Sequence, residues 1–248
     1  MEQTLQDQVV LIIGAGRGPG PALAQAFAEQ GAIIAANDLS PVLLDPLAQA
    51  VKARQGRIQT YPGDATRGMP LRSLIDEVLG DFNRIDILIN NPRVQPEAAL
   101  IDMDEWDWQR TIEMNLNGPF LAMRLVARLM QEQGKGVILN IVDSAGRNLE
   151  APGKAAYAAS QAGLLALSQA AAREFLTYNI LVHTLCPDED LLHATSLTDS
   201  SLPDTAIRSF TDLAVFLCSP AAAHLTGQVF QTKGAHRPID ASEKADRS

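Results

Sequence analysis

Cysteine is nearly absent: the 248 residues hold two, Cys186 and Cys218. Both lie in apolar contexts (HTLCP and VFLCS) without CxxC or zinc spacing, which points to reduced core thiols in a cytoplasmic protein. Clustered positive charge is missing as well. The formal net charge is −9 and no stretch gathers Lys or Arg, so phosphate backbones and anionic lipid heads are repelled. Neither nucleic acid nor a membrane is an expected partner. No run approaches the ~20 apolar residues that span a bilayer, and the opening MEQTLQDQ is polar, so no export or insertion signal is visible. Short-period repeats and low-complexity linkers are absent.

What remains is a globular composition, 46% hydrophobic and 20% charged with 17 Gly and 14 Pro, in a length that suits one large α/β domain. Short β-branched runs alternate with longer helical patterns: 8–14, 32–38, 57–62, 84–90, 136–142, 179–185 and 227–232. Continuous apolar strands belong in a sheet buried on both faces. Segments such as PALAQAFAEQG and PLRSLIDEVLGDF carry apolar residues at helical spacing. Strand and helix in alternation predict a parallel sheet with right-handed crossovers, covered by helices on both sides. The domain is expected over 1–235, and 236–248, with few apolar residues to bury, is expected to be a mobile tail.

The first strand runs into Gly14-Ala15-Gly16-Arg17-Gly18-Pro19-Gly20 and then a helix. A tight glycine turn lets backbone approach a pyrophosphate, and a helix N-terminus adds unpaired N–H groups and partial positive charge. The glycines recur as GxxxGxG through Gly14, Gly18 and Gly20. An acidic residue, Asp38, ends the second strand. Its carboxylate can accept hydrogen bonds from ribose hydroxyls and would repel a 2′-phosphate, which favours NAD over NADP. Arg17 argues weakly the other way. Pro19 has no N–H to offer a phosphate, at a cost of about 1.5–3 kcal/mol in binding, whereas Pro21 falls in the first helical turn, where proline is tolerated.

Several positions together resemble the classical short-chain dehydrogenase/reductase family, from about Gln8 to Lys233. The TGxxxGxG loop is present as Ile13-Gly14 through Gly18 and Gly20. The adenine-side Asp matches Asp64, followed by Ala65. The NNAG turn reads Asn90-Asn91-Pro92-Arg93, the helical asparagine fits Asn115, and the YxxxK helix reads Tyr157-Ala158-Ala159-Ser160-Gln161. Leu225-Thr226-Gly227-Gln228 matches the TGQ segment before the last strand. The resemblance implies a single-domain Rossmann-type doubly wound sheet of about seven parallel strands. It also implies a dinucleotide across their carboxyl ends and a homotetramer or homodimer. The helix PFLAMRLVARLMQEQ would then supply subunit interface, or merely cover the sheet.

The family reaction moves a hydride between nicotinamide and a carbonyl or secondary alcohol, so the protein must shuttle a proton. Tyr157 is the acid/base by its place in the motif. An unassisted phenol has a pKa near ~10 and needs a cation to ionise near neutrality. Where the family has that Lys, this chain has Gln161, which can hydrogen-bond ribose but brings no charge. The nearest cation in sequence, Lys154, reads as an ordinary solvated lysine. The substrate-orienting serine is either Ser144, counting back from Tyr157, or displaced by Asp143, counting from Asn140. A charged Asp143 facing inward would raise the Tyr157 pKa. Asn115 is expected to hold a relay water.

Pro92-Arg93 places bulk where the Ala-Gly pair should pass the cofactor, and the usual Pro-Gly after the sixth strand is Pro187-Asp188. Asp188-Glu189-Asp190 with His193 reads as an acidic surface loop rather than a metal site. The stretch from Asp188 to Asp204 is expected to form the substrate lid. His183, His224 and His236 show no partner at recognisable spacing, and Trp106 and Trp108 read as packing residues. The expected function is an NAD-dependent oxidoreductase acting on a small carbonyl or alcohol with an altered catalytic set. The alternatives are an inactive NAD-binding sensor or assembly partner and a structural subunit that binds no nucleotide.

Overall fold

Each of the seven apolar runs forms a strand in the computed structural model, which describes residues 4–91, 93–143, 152–187, 191–192 and 204–232. The strands are β1 (Val9–Ile13), β2 (Ile33–Asp38), β3 (Arg57–Pro62), β4 (Ile87–Asn90), β5 (Gly136–Ile141), β6 (Ile180–Cys186) and β7 (Val229–Gln231). They form one sheet in the order β3-β2-β1-β4-β5-β6-β7. Every neighbouring pair is parallel.

The helices are α1 (Gly20–Glu29), α2 (Pro41–Ala53), α3 (Gly68–Phe82), α4 (Glu105–Ile112), α5 (Gly118–Gln133), α6 (Ala155–Phe175) and α7 (Asp204–Cys218). Proline in the first turn of α1, α2 and α5 sits where its missing N–H costs nothing. Alternation along β1 divides the core. Val10 and Ile12 pack with Leu23 and Phe27 of α1 and Phe210 of α7. Val9, Leu11 and Ile13 pack with Leu71 of α3, Val126 of α5 and Leu164 of α6. All five β1 side chains are buried, each worth about 1.5–3 kcal/mol of transfer free energy, and this two-sided burial is why the run carries no polar residue. Both cysteines are buried and neither forms a disulfide.

The chain winds outward from β1 through β2 to β3, then crosses back to place β4 on the other side of β1. Strand order therefore reverses between β1 and β4, and the loops that leave their carboxyl ends diverge. An open parallel sheet leaves its ligand crevice at this point.

The structure departs from expectation at α4. Trp106 and Trp108 are exposed rather than packed, because Thr111 is the residue that α4 buries. Asp104 caps the helix by accepting the Trp106 N–H at 2.6 Å, and the Arg110 guanidinium lies over the Trp106 ring at 5.1 Å.

Candidate active site

Backbone conformation shapes the first wall of the crevice. After β1 the chain turns through Gly14 at φ +79° and Gly18 at φ +52°, left-handed angles at which a side chain is strained. Gly20 is fixed by proximity instead: a Cβ there would lie 2.5 Å from the Gly14 carbonyl oxygen and 2.8 Å from that of Ala15. The opposite side of the reversal holds this loop in place. Asn91, just past β4, donates from Nδ2 to the carbonyls of Gly14 at 2.7 Å and Arg17 at 3.1 Å.

A cleft of about 620 Å³ opens between these walls. Of the cofactor residues expected from the sequence, Gly14, Arg17, Gly18, Asp38, Asp64, Ala65 and Asn91 line it. Asp38 keeps its carboxylate on the wall, with Oδ2 accepting the Gly16 N–H at 3.0 Å. Asp64 is oriented by the N–H and hydroxyl of Thr66, both reaching its Oδ1. Pro19 also lines the cleft as the residue that precedes α1. Glycine conformation, an α1 start and a carboxylate at the end of β2 make a cradle that fits a dinucleotide's pyrophosphate and adenosine ribose.

Tyr157, Gln161 and Pro187 are buried outside this cleft. Tyr157, in the first turn of α6, is 1% exposed and donates its hydroxyl to Asp143 Oδ2 at 2.9 Å. Among the described residues Asp143 faces the phenol; Ser144 lies outside them. Gln161 is engaged with the protein: its Oε1 accepts the Asp143 N–H at 2.8 Å and so fixes the chain just past β5. Burial drives the Tyr157 pKa far above 10; the Arg93 charge pulls it down, and Asp143 adds to the rise.

Sequence reading treats Arg93 as bulk beside the cofactor; it does line the cleft, and its guanidinium also has specific partners that spacing does not signal. Its guanidinium lies 5.3 Å from the Tyr157 ring centroid, its Nη2 is 3.8 Å from Asp143 Oδ2, and its Nη1 donates to the Leu192 carbonyl at 2.7 Å. Gln95 accepts from the same guanidinium. Arg93 lines the cleft, whereas Tyr157 is not among its lining residues. Lys154, the cation nearest in sequence, pairs instead with Glu97 at 4.0 Å.

Asn115 lies in a π-helical turn, Glu113–Asn117, between α4 and α5. Its side chain is committed to protein: Oδ1 accepts the Val94 N–H at 2.9 Å, and Nδ2 donates to the Val94 carbonyl at 2.8 Å and to Ser160 Oγ at 3.1 Å. It therefore positions the strand of chain that carries Arg93. Below the site, Asn90 Nδ2 donates to Asn140 Oδ1 and Asn140 Nδ2 to Ser168 Oγ, each at 2.8 Å. These bonds tie β4, β5 and α6 together, a link that single-residue spacing does not signal.

His183 is buried in β6 with no hydrogen bond to either ring nitrogen, and burial lowers its pKa from 6.5 to about 4. No group of His, Cys, Asp and Glu able to hold a metal occurs among the described residues. Asp188, Glu189, Asp190, His193 and His236 lie outside them, as does most of the expected lid. No described helix is long and apolar enough to cross a membrane.

A family model described as short chain dehydrogenase matches residues 8–198. The chain is 30% identical over 241 residues to the 3-oxoacyl-acyl-carrier-protein reductase FabG of Thermotoga maritima, covering 93% of this chain and 98% of that protein. It is 31% identical over 243 residues to the 3-oxoacyl-acyl-carrier-protein reductase of Synechocystis, covering 93% and 97%. Among solved structures, a protein described as a short-chain dehydrogenase/reductase from Burkholderia xenovorans superposes with a TM-score of 0.85 at 29% identity, over 94% of this chain and 97% of that one. An NAD+-bound xylitol dehydrogenase superposes at 0.82 and 26% identity, over 93% and 99%.

Proposed function

The chain belongs to the short-chain dehydrogenase family, and from that premise we propose an NAD-dependent oxidoreductase that interconverts a carbonyl and a secondary alcohol. One observation carries the choice of cofactor: Asp38 presents its carboxylate on the cleft wall, held by the Gly16 N–H. There it can accept from ribose hydroxyls, and its charge would meet a 2′-phosphate with repulsion. Gly14, Gly18 and Gly20 with the start of α1 would hold the pyrophosphate; Asp64, Ala65 and Asn91 would flank the adenosine; Arg17 lies at the mouth of the same wall. Nicotinamide, when bound, supplies the two-electron hydride chemistry. Tyr157 would handle the proton, and Ser144, by its place in the family motif, the substrate oxygen. Asn115 and Gln161 would serve by fixing the segments that carry Arg93 and Asp143.

The name of the two bacterial relatives makes 3-oxoacyl and 3-hydroxyacyl thioesters the first substrates to try. A single domain ending near residue 235, a homodimer or homotetramer, and a cytoplasmic location complete the reading. Titration of NADH and NADPH by quenching of protein fluorescence tests it. NADH should bind at least tenfold more tightly, and Asp38→Ala should erase most of that preference. Equal affinity for the two, or binding of neither, would sink the assignment.

A further inference from the structure

Resting on that reading, we propose that Arg93 and Asp143 form a charge pair that takes over proton handling, with Asp143 as the proton store and Tyr157 as the relay between it and the substrate oxygen. Three contacts converge on this unit. The phenol hydroxyl points at Asp143 Oδ2, 2.9 Å away. Arg93 Nη2 approaches that same oxygen at 3.8 Å. Its guanidinium also lies over the phenol ring. Gln161 fixes the acceptor by taking the Asp143 N–H.

A carboxylate that accepts the phenolic hydrogen stabilises the protonated phenol, so a free phenolate is not the resting base. The base that can take a proton through that hydrogen bond is the carboxylate itself. In alcohol oxidation the substrate oxygen has first to reach Tyr157 Oη, which is buried beside the Arg93 guanidinium in this structure; the substrate O–H then breaks and its proton passes to Tyr157 Oη. The proton already on Oη moves to Asp143 Oδ2, and the electron pair of the carbinol C–H bond leaves as hydride to the nicotinamide cofactor. Reduction runs the same transfers backwards. Arg93 supplies the positive charge that an ammonium on α6 would otherwise bring, but from the loop after β4. Among the described residues, the charged group facing Asp143 is Arg93, and the Tyr157 hydroxyl meets it across the hydrogen bond.

Phenol ionisation followed at 295 nm tests this without turnover, taking each protein minus its Tyr157→Phe counterpart. The intact protein should show no Tyr157 step up to about pH 10.5. Asp143→Ser should bring the step into view, with at least a tenfold loss of proton affinity, and adding Arg93→Leu should raise it again by a similar factor. Asp143→Asn, which keeps the shape, serves if the serine variant does not fold. A step at ordinary phenol pH in the intact protein, unmoved by Asp143→Ser or Asp143→Asn, would overturn the proposal. With 3-hydroxybutyryl-CoA and NAD, oxidation should be flat from pH 7 to 10, whereas a tenfold rise per unit would overturn it. NADH binding is measured separately, so a failure of cofactor binding is distinguishable from a failure of the charge pair.

Discussion

Two glycines, Gly20 and Gly80, show how differently one residue type is constrained. Gly80 is exposed in α3 with nothing within 4 Å of a Cβ built there, while at Gly20 that Cβ would collide with backbone oxygens. Gly80→Ala should stabilise by up to ~1 kcal/mol through helix propensity. Gly20→Ala should cost about 1–3 kcal/mol and weaken NADH binding, because the turn must open to admit the methyl group. Urea unfolding and fluorescence titration of both variants check this, and a Gly20→Ala protein of normal stability and affinity would contradict it. His183 adds a pH dependence at the same scale. Unfolded, its imidazole takes a proton near 6.5; folded, it resists until about 4. Between those values the unfolded state binds more protons, so stability falls as pH falls through the window, by as much as ~3 kcal/mol in all. His183→Leu removes that contribution, and the gap in unfolding free energy between wild type and variant should change by that amount between pH 7 and pH 4. Parallel curves would rule it out.

Elements explain why some features were readable in the sequence and others were not. β1 announces itself because burial on both faces demands an unbroken apolar run, and the loop after β1 because its backbone angles demand glycine. Both are local requirements. The Arg93–Asp143–Tyr157 arrangement is not local, since it depends on β4, β5 and α6 delivering their ends to one place. Spacing alone left Asp143 and Ser144 as rivals, and it drew attention to Lys154, which turns to Glu97. Trp106 and Trp108 misled for a related reason: an aromatic pair signals burial only if its helix face meets the sheet, and that face of α4 does not. Asp86 is another element-level tie. Buried just before β4, it accepts the Val9 N–H at 2.9 Å and the Arg84 guanidinium, pinning the start of β1 to β4. Asp86→Ala strands the buried N–H and should cost about 2–4 kcal/mol by urea unfolding; a loss under ~0.5 kcal/mol would show that the start of β1 needs no such anchor.

At the scale of the whole molecule, the sheet order places the first strand in the interior. β1 is flanked by β2 and by β4, and its pairing of Val10 with Ile87 spans most of the first third of the chain. During synthesis, β1, β2 and β3 therefore emerge well before the partner that covers the far side of β1. Until residue 87 arrives, VVLII presents an unbroken row of unpaired backbone groups between apolar side chains, the kind of edge on which chains adhere to one another. A fragment of residues 1–83 should accordingly precipitate at micromolar concentration where the full chain stays dispersed, as light scattering would record. Placing the cofactor loop on an interior strand thus leaves each nascent chain with an interval of vulnerability, which ends only when β4 closes over it.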